Sequence, residues 1–299
     1  MMARNKQKLS KSIFLLVGFT LMLIYTISFL IPVAWALLTS TKHEIDFMIN
    51  KFGLPGAGLK VKDHTYYANY VYAYKNIIVQ VKGLGNIKIV EQFYNSICYS
   101  VVATIMHTLT PCIAAYAVAK YNFKFGKVMY TIVIVTMILP IVGNMASSIQ
   151  MAKWLGTYDN FWGIAIMKGG FLGTNFLIFY AAFKSLPNDF KEAAEIDGAS
   201  QLQILLNVVF PLVKTTVSAI ALLSFIGYWN DYTTALIYMP SRPTIAFGLY
   251  TFTHSSINES SFVTKQVAAC MMVTVPIFIV FLLFKNKLIG NMAVGGIKG

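Results

Sequence analysis

Charge is scarce in this chain: Asp, Glu, Lys and Arg make up 12% of its 299 residues, and only 11 of these are acidic. Soluble globular domains carry about 25% charged residues, so a solvated single domain is excluded. Cysteine is scarce as well. Cys98, Cys112 and Cys270 are odd in number, lie in or beside apolar runs and lack metal-ligand spacing, so they read as packing residues rather than a disulfide framework. The four histidines, His43, His64, His107 and His254, are scattered without an HExxH pairing, and no metal site is implied. No GxxxxGKS/T run occurs, so the chain has no phosphate-cradling loop of its own. There is no internal repeat and no low-complexity tract. A membrane-embedded enzyme would need a nucleophile with its base, paired carboxylates or metal ligands; His107 is the one suggestive residue, and a lone histidine reads as packing.

What is present is apolar: 57% of the residues are hydrophobic, in long runs separated by short polar stretches. The pattern is that of a multi-pass membrane protein. The net charge of +13 would suggest nucleic acid in a soluble protein, but these lysines sit mainly in loops and tails, where they report membrane topology. Residues 1–12, with Arg4, Lys6, Lys8 and Lys11, form a basic tail before a first span over 13–39, bent near Pro32. That run exceeds the roughly 7–15 apolar residues of a signal peptide and reaches the roughly 20 needed to cross a bilayer. Residues 40–93 form a polar external loop with β-leaning stretches such as 77–81.

Residues 94–285 carry five further spans. The second covers 95–119 with Pro111 inside it and ends in a basic turn at Lys120, Lys124 and Lys127. The third covers 128–149, interrupted by Pro140 and Gly143. The fourth covers 161–183 and contains Lys168, read as snorkelling or packing, beside Gly169, Gly170 and Gly173, which let another helix approach. The fifth covers 208–228, and the sixth covers 266–284 with Pro276. Residues 286–299 are a glycine-rich tail. Six spans and basic flanks at both termini put both ends in the cytoplasm. A six-helix secondary transporter is the competing reading, but it calls for ionisable groups near mid-membrane and commonly for a repeat.

The polar break at 184–211 is the most informative stretch. Pro187, Asp189 and Glu192 suit a helix start, and Gly198 suits a left-handed stop. Ser200 followed by Gln203 forms a capping box that starts a second helix leading through Pro211. The expectation is helix, sharp turn, helix, with Phe190, Ala193, Ala194 and Asp197 on one face.

The ordered set EAA, three residues, Gly, nine residues and V-x-F-P resembles the EAA loop of bacterial ABC importer permeases. LPNDFKEAAEIDGAS, AYAVAKYNFKFGK, WNDYTTALIYMPSRPTIAFGLYTF and the ending AVGGIKG are similar to the carbohydrate-type group that contains the G-type subunit of maltose importers. Val208 and Phe210 stand where the motif usually has Ile and Leu. The resemblance implies an all-α membrane protein with six transmembrane helices and a cytoplasmic coupling helix, in a bacterial plasma membrane. It implies a second homologous permease subunit, two cytoplasmic ABC ATPase subunits that bind the ATP, and an extracellular solute-binding protein. Nucleic acid and metal are not expected, and surrounding lipid is. Glu192, Ala193, Ala194, Asp197 and Gly198 would couple to the ATPase. Trp229, Asn230, Asp231 and Tyr232 offer aromatic faces with planar polar groups to a sugar, or serve as interfacial anchors; Asn144 and Gln150 are weaker cavity candidates. Residues 240–262 would reach the binding protein. A non-sugar cargo stays open.

Overall fold

A computed structural model describes residues 2–57, 65–121, 123–139, 143–254 and 262–289, with side chains from Ser12 to Phe284 within those ranges. The basic side chains of residues 4–11, Pro140, residues 255–261 and the tail from residue 290 lie outside the described set.

The chain divides into two compact units, residues 1–77 with 252–272, and residues 78–251 with 273–299. The first unit opens with α1 (Met2–Ser40), which continues through Pro32. Its apolar side chains are exposed on all sides, from Phe14 at 78% to Ile31 at 61%. A helix apolar all round needs an apolar surrounding, here the bilayer. α2 (Glu44–Ile49) and α3 (Ala68–Asn76) follow. The last carbonyls of α1 would be orphaned at a helix end. Buried Asn69 answers by donating through Nδ2 to the carbonyls of Ser40, at 2.9 Å, and Lys42, at 2.7 Å, while Ser40 Oγ and the Tyr70 hydroxyl share a bond of 2.7 Å.

The second unit begins with a hairpin of β1 (Ile78–Val81) and β2 (Gly85–Lys88), antiparallel with Ile78 opposite Lys88 and Val81 opposite Gly85. Next comes α4 (Ile89–Lys120), which carries Pro111 within it. α5 (Gly126–Ile138), α6 (Met145–Trp154), α7 (Phe161–Met167) and α8 (Thr174–Lys184) precede the polar break, which contains α9 (Asp189–Ile196) and α10 (Gln201–Gln203). A π-helical stretch (Ile204–Val209) then leads into α11 (Phe210–Trp229) and α12 (Tyr232–Tyr238). The division between the units falls within α13 (Ile245–His254) and α14 (Val263–Ile289). α4 is the axis of the second unit, with α7, α8 and α11 packed along it. One apolar cluster joins Tyr99 and Ala103 to Phe161, Ile164 and Met239; another joins Cys112 and Tyr116 to Phe176, Phe179, Phe183 and Val213.

Among the described residues, four helices are long and apolar enough to cross a membrane: Ser12–Ser40, Ile89–Lys120, Gln201–Trp229 and Val263–Phe284. They match the first, second, fifth and sixth expected spans. The third and fourth are not continuous helices. The third is divided into α5 and α6, and the fourth into α7 and α8. In the fourth, Lys168 caps α7, and a Cβ on Gly169 would stand 3.0 Å from Thr110 Oγ1 and 3.2 Å from Met106 Cβ on α4. The glycine therefore lets this non-helical stretch lie against α4, where protein rather than lipid covers its backbone.

Candidate functional site

The polar break forms a compact loop. α9 carries Asp189 and Glu192 in its first turn, where carboxylates favour the positive end of the helix dipole. It ends at Gly198, whose φ of +79° is the left-handed conformation expected there. The Gly198 N–H donates to the Glu195 carbonyl at 3.1 Å and the Ala199 N–H to the Ala194 carbonyl at 3.0 Å, the paired bonds of a Schellman stop. The capping box is also present: the Ser200 N–H donates to Gln203 Oε1 at 2.8 Å, and the Gln203 N–H donates to Ser200 Oγ at 3.4 Å. After it the helix widens. Pro211 has no N–H to give to the carbonyl of Asn207, and the Phe210 N–H reaches back five residues to Leu205, so a π-helical turn absorbs the proline.

This loop is fastened to the end of α4. Lys120 Nζ donates to the Leu186 carbonyl at 2.6 Å and to Asn188 Oδ1 at 2.9 Å. The Tyr121 hydroxyl donates to Gln201 Oε1, whose amide donates to Glu195 at 2.9 Å. Lys191 lies 3.5 Å from Glu195 and sits over the Tyr121 ring. The Gln201 amide, with Lys191 adding to it, holds the Glu195 carboxyl below its ordinary pKa. Ala194 and Ala199 pack inward against the cluster around Tyr116 and Phe183. Glu192, Ala193, Asp197 and Gly198 are exposed, as are Phe190 at 50% and Ile196 at 86%. Of the face expected from helical spacing, Ala194 thus turns toward the chain's own core; Ile196, outside that expected face, is the more exposed apolar residue of α9.

A second candidate site lies where α4, α8 and α11 meet. A cavity of 380 Å³ is lined by His107, Asn175, Ser224, Tyr228 and Asp231 with Ile178, Ile220, Leu223 and Gly227. Asp231 begins α12 as its N-cap: Oδ1 accepts from the Thr234 N–H at 2.9 Å, and Oδ2 accepts from the Thr234 hydroxyl at 2.5 Å and the Tyr99 hydroxyl at 3.0 Å. Lys168 completes the neutralisation, 3.7 Å from Asp231 Oδ2 and donating to Thr234 Oγ1 at 2.9 Å. His107 faces the Lys168 carbonyl at 3.2 Å and meets the Tyr228 ring edge-on.

The other expected path residues do not join this cavity. Trp229 is 1% exposed, donates to the Val273 carbonyl at 3.3 Å and packs beside Phe93 and Phe225, which makes it an interior residue. Asn230 bonds back to the Ile226 carbonyl, and Tyr232 stacks on Tyr250 with centroids 4.5 Å apart. Asn144 is exposed at the start of α6, and Gln150 is exposed within it. The residues that sequence reasoning passed over are Asn175 and Ser224. Their signal was a polar side chain inside an apolar run, the same signal that marks His107.

With the loop and cavity in place, comparison with known proteins decides the family. The profile of the family described as binding-protein-dependent transport system inner membrane component matches residues 108–289, more than half of the chain. The chain belongs to this family. As a member with several apolar helices it is a multi-pass membrane protein. It is 26% identical over 302 residues to the trehalose/maltose transport system permease protein MalG of Thermococcus litoralis, covering 98% of this chain and 99% of that one. It is 23% identical to the diacetylchitobiose uptake system permease protein NgcG of Streptomyces coelicolor, covering 94% and 88%. The maltodextrin transport system permease protein MdxG of Bacillus subtilis is 27% identical over 69% of this chain and 75% of its own. Among solved structures, a chain of a bacterial ABC transporter involved in the import of the acidic polysaccharide alginate superposes with a TM-score of 0.71 at 24% identity, over 93% of this chain and 97% of that one. This likeness establishes the fold.

Proposed function

We propose that this chain is the permease subunit of an ABC importer for a sugar or oligosaccharide. It forms half of the translocation path beside a second permease subunit, and receives the force of ATP hydrolysis through the loop between α8 and α11. The observation that carries the reading is the construction of that loop. A left-handed glycine stop and a capping box set its angle, two cation-donated bonds from Lys120 tie it to α4, and Glu192, Ala193 and Ile196 are left facing outward. A loop so held moves as one body with α4, the helix that also carries His107 to the cavity and Tyr99 to the Asp231 carboxylate.

In this reading each broken pair, α5 with α6 and α7 with α8, makes one crossing, giving six crossings with both termini in the cytoplasm. Two ATPase subunits engage the loops from that side, and an extracellular binding protein delivers the solute. The cavity suits an uncharged, hydroxyl-rich cargo: Asn175, Ser224 and Tyr228 offer neutral hydrogen-bonding groups, and its one carboxylate is offset by Lys168. The permease relatives, whose names specify maltose, maltodextrin and diacetylchitobiose transport, support a saccharide.

The test is ATP-driven uptake of a panel of neutral oligosaccharides by the assembled transporter in vesicles. Uptake of at least one, lost in Glu192→Ala and reduced in Asn175→Leu, is the expected result. Normal uptake by Glu192→Ala would refute the coupling role.

A further inference from the structure

The segment that follows α1 turns its apolar side chains outward and its acidic ones inward. Ile45, Met48 and Ile49 share one face of α2 by helical spacing, and are 45%, 64% and 61% exposed. Phe52, at 82%, and Leu54, at 67%, continue the apolar surface through the next turn. On the other side Asp46 is 1% exposed and accepts from the Gly56 N–H at 2.7 Å, and Glu44 lies 3.9 Å from Lys265. Lys42 is buried too, its Nζ donating to the Asn50 carbonyl at 2.7 Å. This is the reverse of a water-soluble loop, in which charges face out and apolar groups in.

The position of the segment explains the reversal. Trp35 Nε1 donates to the Lys51 carbonyl at 3.1 Å, and the Trp35 ring lies 6.3 Å from that of Phe47. Trp35 precedes the end of α1 by five residues, so the chain folds back by about 7.5 Å along the helix axis. That return brings it beside the apolar part of α1, where Ile31, one turn before Trp35 on the same face, is itself exposed. The surface of α2 and its turn is therefore continuous with a helix flank that the hydrocarbon of the bilayer must cover. An amphipathic element at a membrane surface sinks its apolar face about 5–10 Å into the boundary between headgroups and acyl chains, a depth that this return matches. Tryptophan at that level is the residue expected of an interface, and exposed Lys51 is placed to meet lipid phosphate.

We infer that residues 45–54 form a lipid-embedded anchor, a short hairpin back into the membrane interface at the end of α1, rather than a docking surface for protein. The anchor fixes the depth of α1 and the point from which the following 65–77 segment departs. Its partner is the bilayer surface itself.

The experiment uses the assembled transporter in phosphatidylcholine vesicles, in a background with Cys98, Cys112 and Cys270 replaced by alanine. Single cysteines at Met48, Phe52 and, as a polar control, Lys75 are labelled with an environment-sensitive fluorophore. Vesicles are then made with and without lipid carrying a nitroxide near the top of the acyl chain. Labels at Met48 and Phe52 should be quenched at least about twofold more than the label at Lys75, with blue-shifted emission. Two results would overturn the inference: labels at 48 and 52 that emit as in water, or labels that are shielded but unquenched, which would put a protein surface over them. None of these readouts depends on transport, so the outcome stands apart from the sugar reading. Both substituted positions are exposed, and a blue-shift without quenching at one but not the other would likewise count against a lipid contact.

Discussion

Replacement of Gly198 gives the most quantitative handle on the loop. No atom lies within 4 Å of the place where a Cβ at residue 198 would stand, so a larger side chain there meets no obstacle. The cost is purely that of the left-handed backbone at φ +79°, about 1–2 kcal/mol for a residue with a Cβ. Against the several bonds that hold this loop to α4, that penalty leaves the chain folded, but it acts on one turn. It lowers the population of the correctly angled loop by a factor of about 5–30. Asparagine tolerates the left-handed region better than alanine, and a β-branched residue tolerates it worst. The expected order of ATPase activity stimulated by the loaded binding protein is therefore Gly, then G198N, then G198A, then G198V, with equal amounts of each variant in the membrane. Equal coupling by Gly198→Val and the parent, or no advantage of asparagine over alanine, would refute the conformational argument and leave the glycine as a mere spacer.

Lys120→Met removes both bonds to the Leu186 carbonyl and Asn188, and should loosen ATPase association several-fold without loss of membrane insertion, read by co-purification. Lys168→Met leaves the Asp231 carboxylate without its cation; with both side chains under a third exposed, the loss should be about 1–3 kcal/mol, and the added Asp231→Asn should recover part of it in a double-mutant cycle of thermal stability. Ser224→Phe should obstruct the 380 Å³ cavity, lowering uptake while ATPase association is unchanged. Because the Glu195 pKa lies below its ordinary value, its contribution to the loop is present above the unfolded-state pKa and fades only as pH falls through the lower folded-state value. ATPase association should accordingly be weaker in Glu195→Gln than in the parent at neutral pH, with the difference closing only as acidification protonates Glu195 in the parent; a difference that persists unchanged on acidification would refute the role of its charge.

The loop was legible because its signals are local. Gly198 as a left-handed stop and Ser200 with Gln203 as a capping box depend on residues within one turn of each other, and both occur as read. Four apolar runs were legible for the same reason: twenty or more apolar residues report their own span. The breaks between α5 and α6 and between α7 and α8 were not, because a glycine or lysine inside an apolar run is compatible with a continuous helix until a neighbour supplies the alternative. At Gly169 that neighbour is α4, whose Thr110 and Met106 lie about sixty positions earlier in the chain and are invisible to any local window. Trp229 shows the converse. Its position at the end of an apolar run suggests an interface or a sugar platform, and only the approach of Val273 and Phe93 turns it inward. Lys168 was readable as a snorkelling cation, yet its partner Asp231 lies on a different helix, so the ion pair is a product of the tertiary fold. The π-helical turn before Pro211 belongs between these cases: the proline forbids an ordinary bond, but the form of the adjustment depends on the packing of Ile204 and Val209.

The central claim is that the exposed side of α9 is where an ATPase subunit grips this permease. The most direct measurement places a photo-activated cross-linking residue at Ala193 or Ile196 in the assembled transporter, with Lys75 as the control position, and identifies what is captured with and without ATP. The account predicts capture of a cytoplasmic ATPase subunit from both loop positions, changing in yield with nucleotide, and none from Lys75. Capture of lipid alone, or of no partner from either loop position, would contradict it.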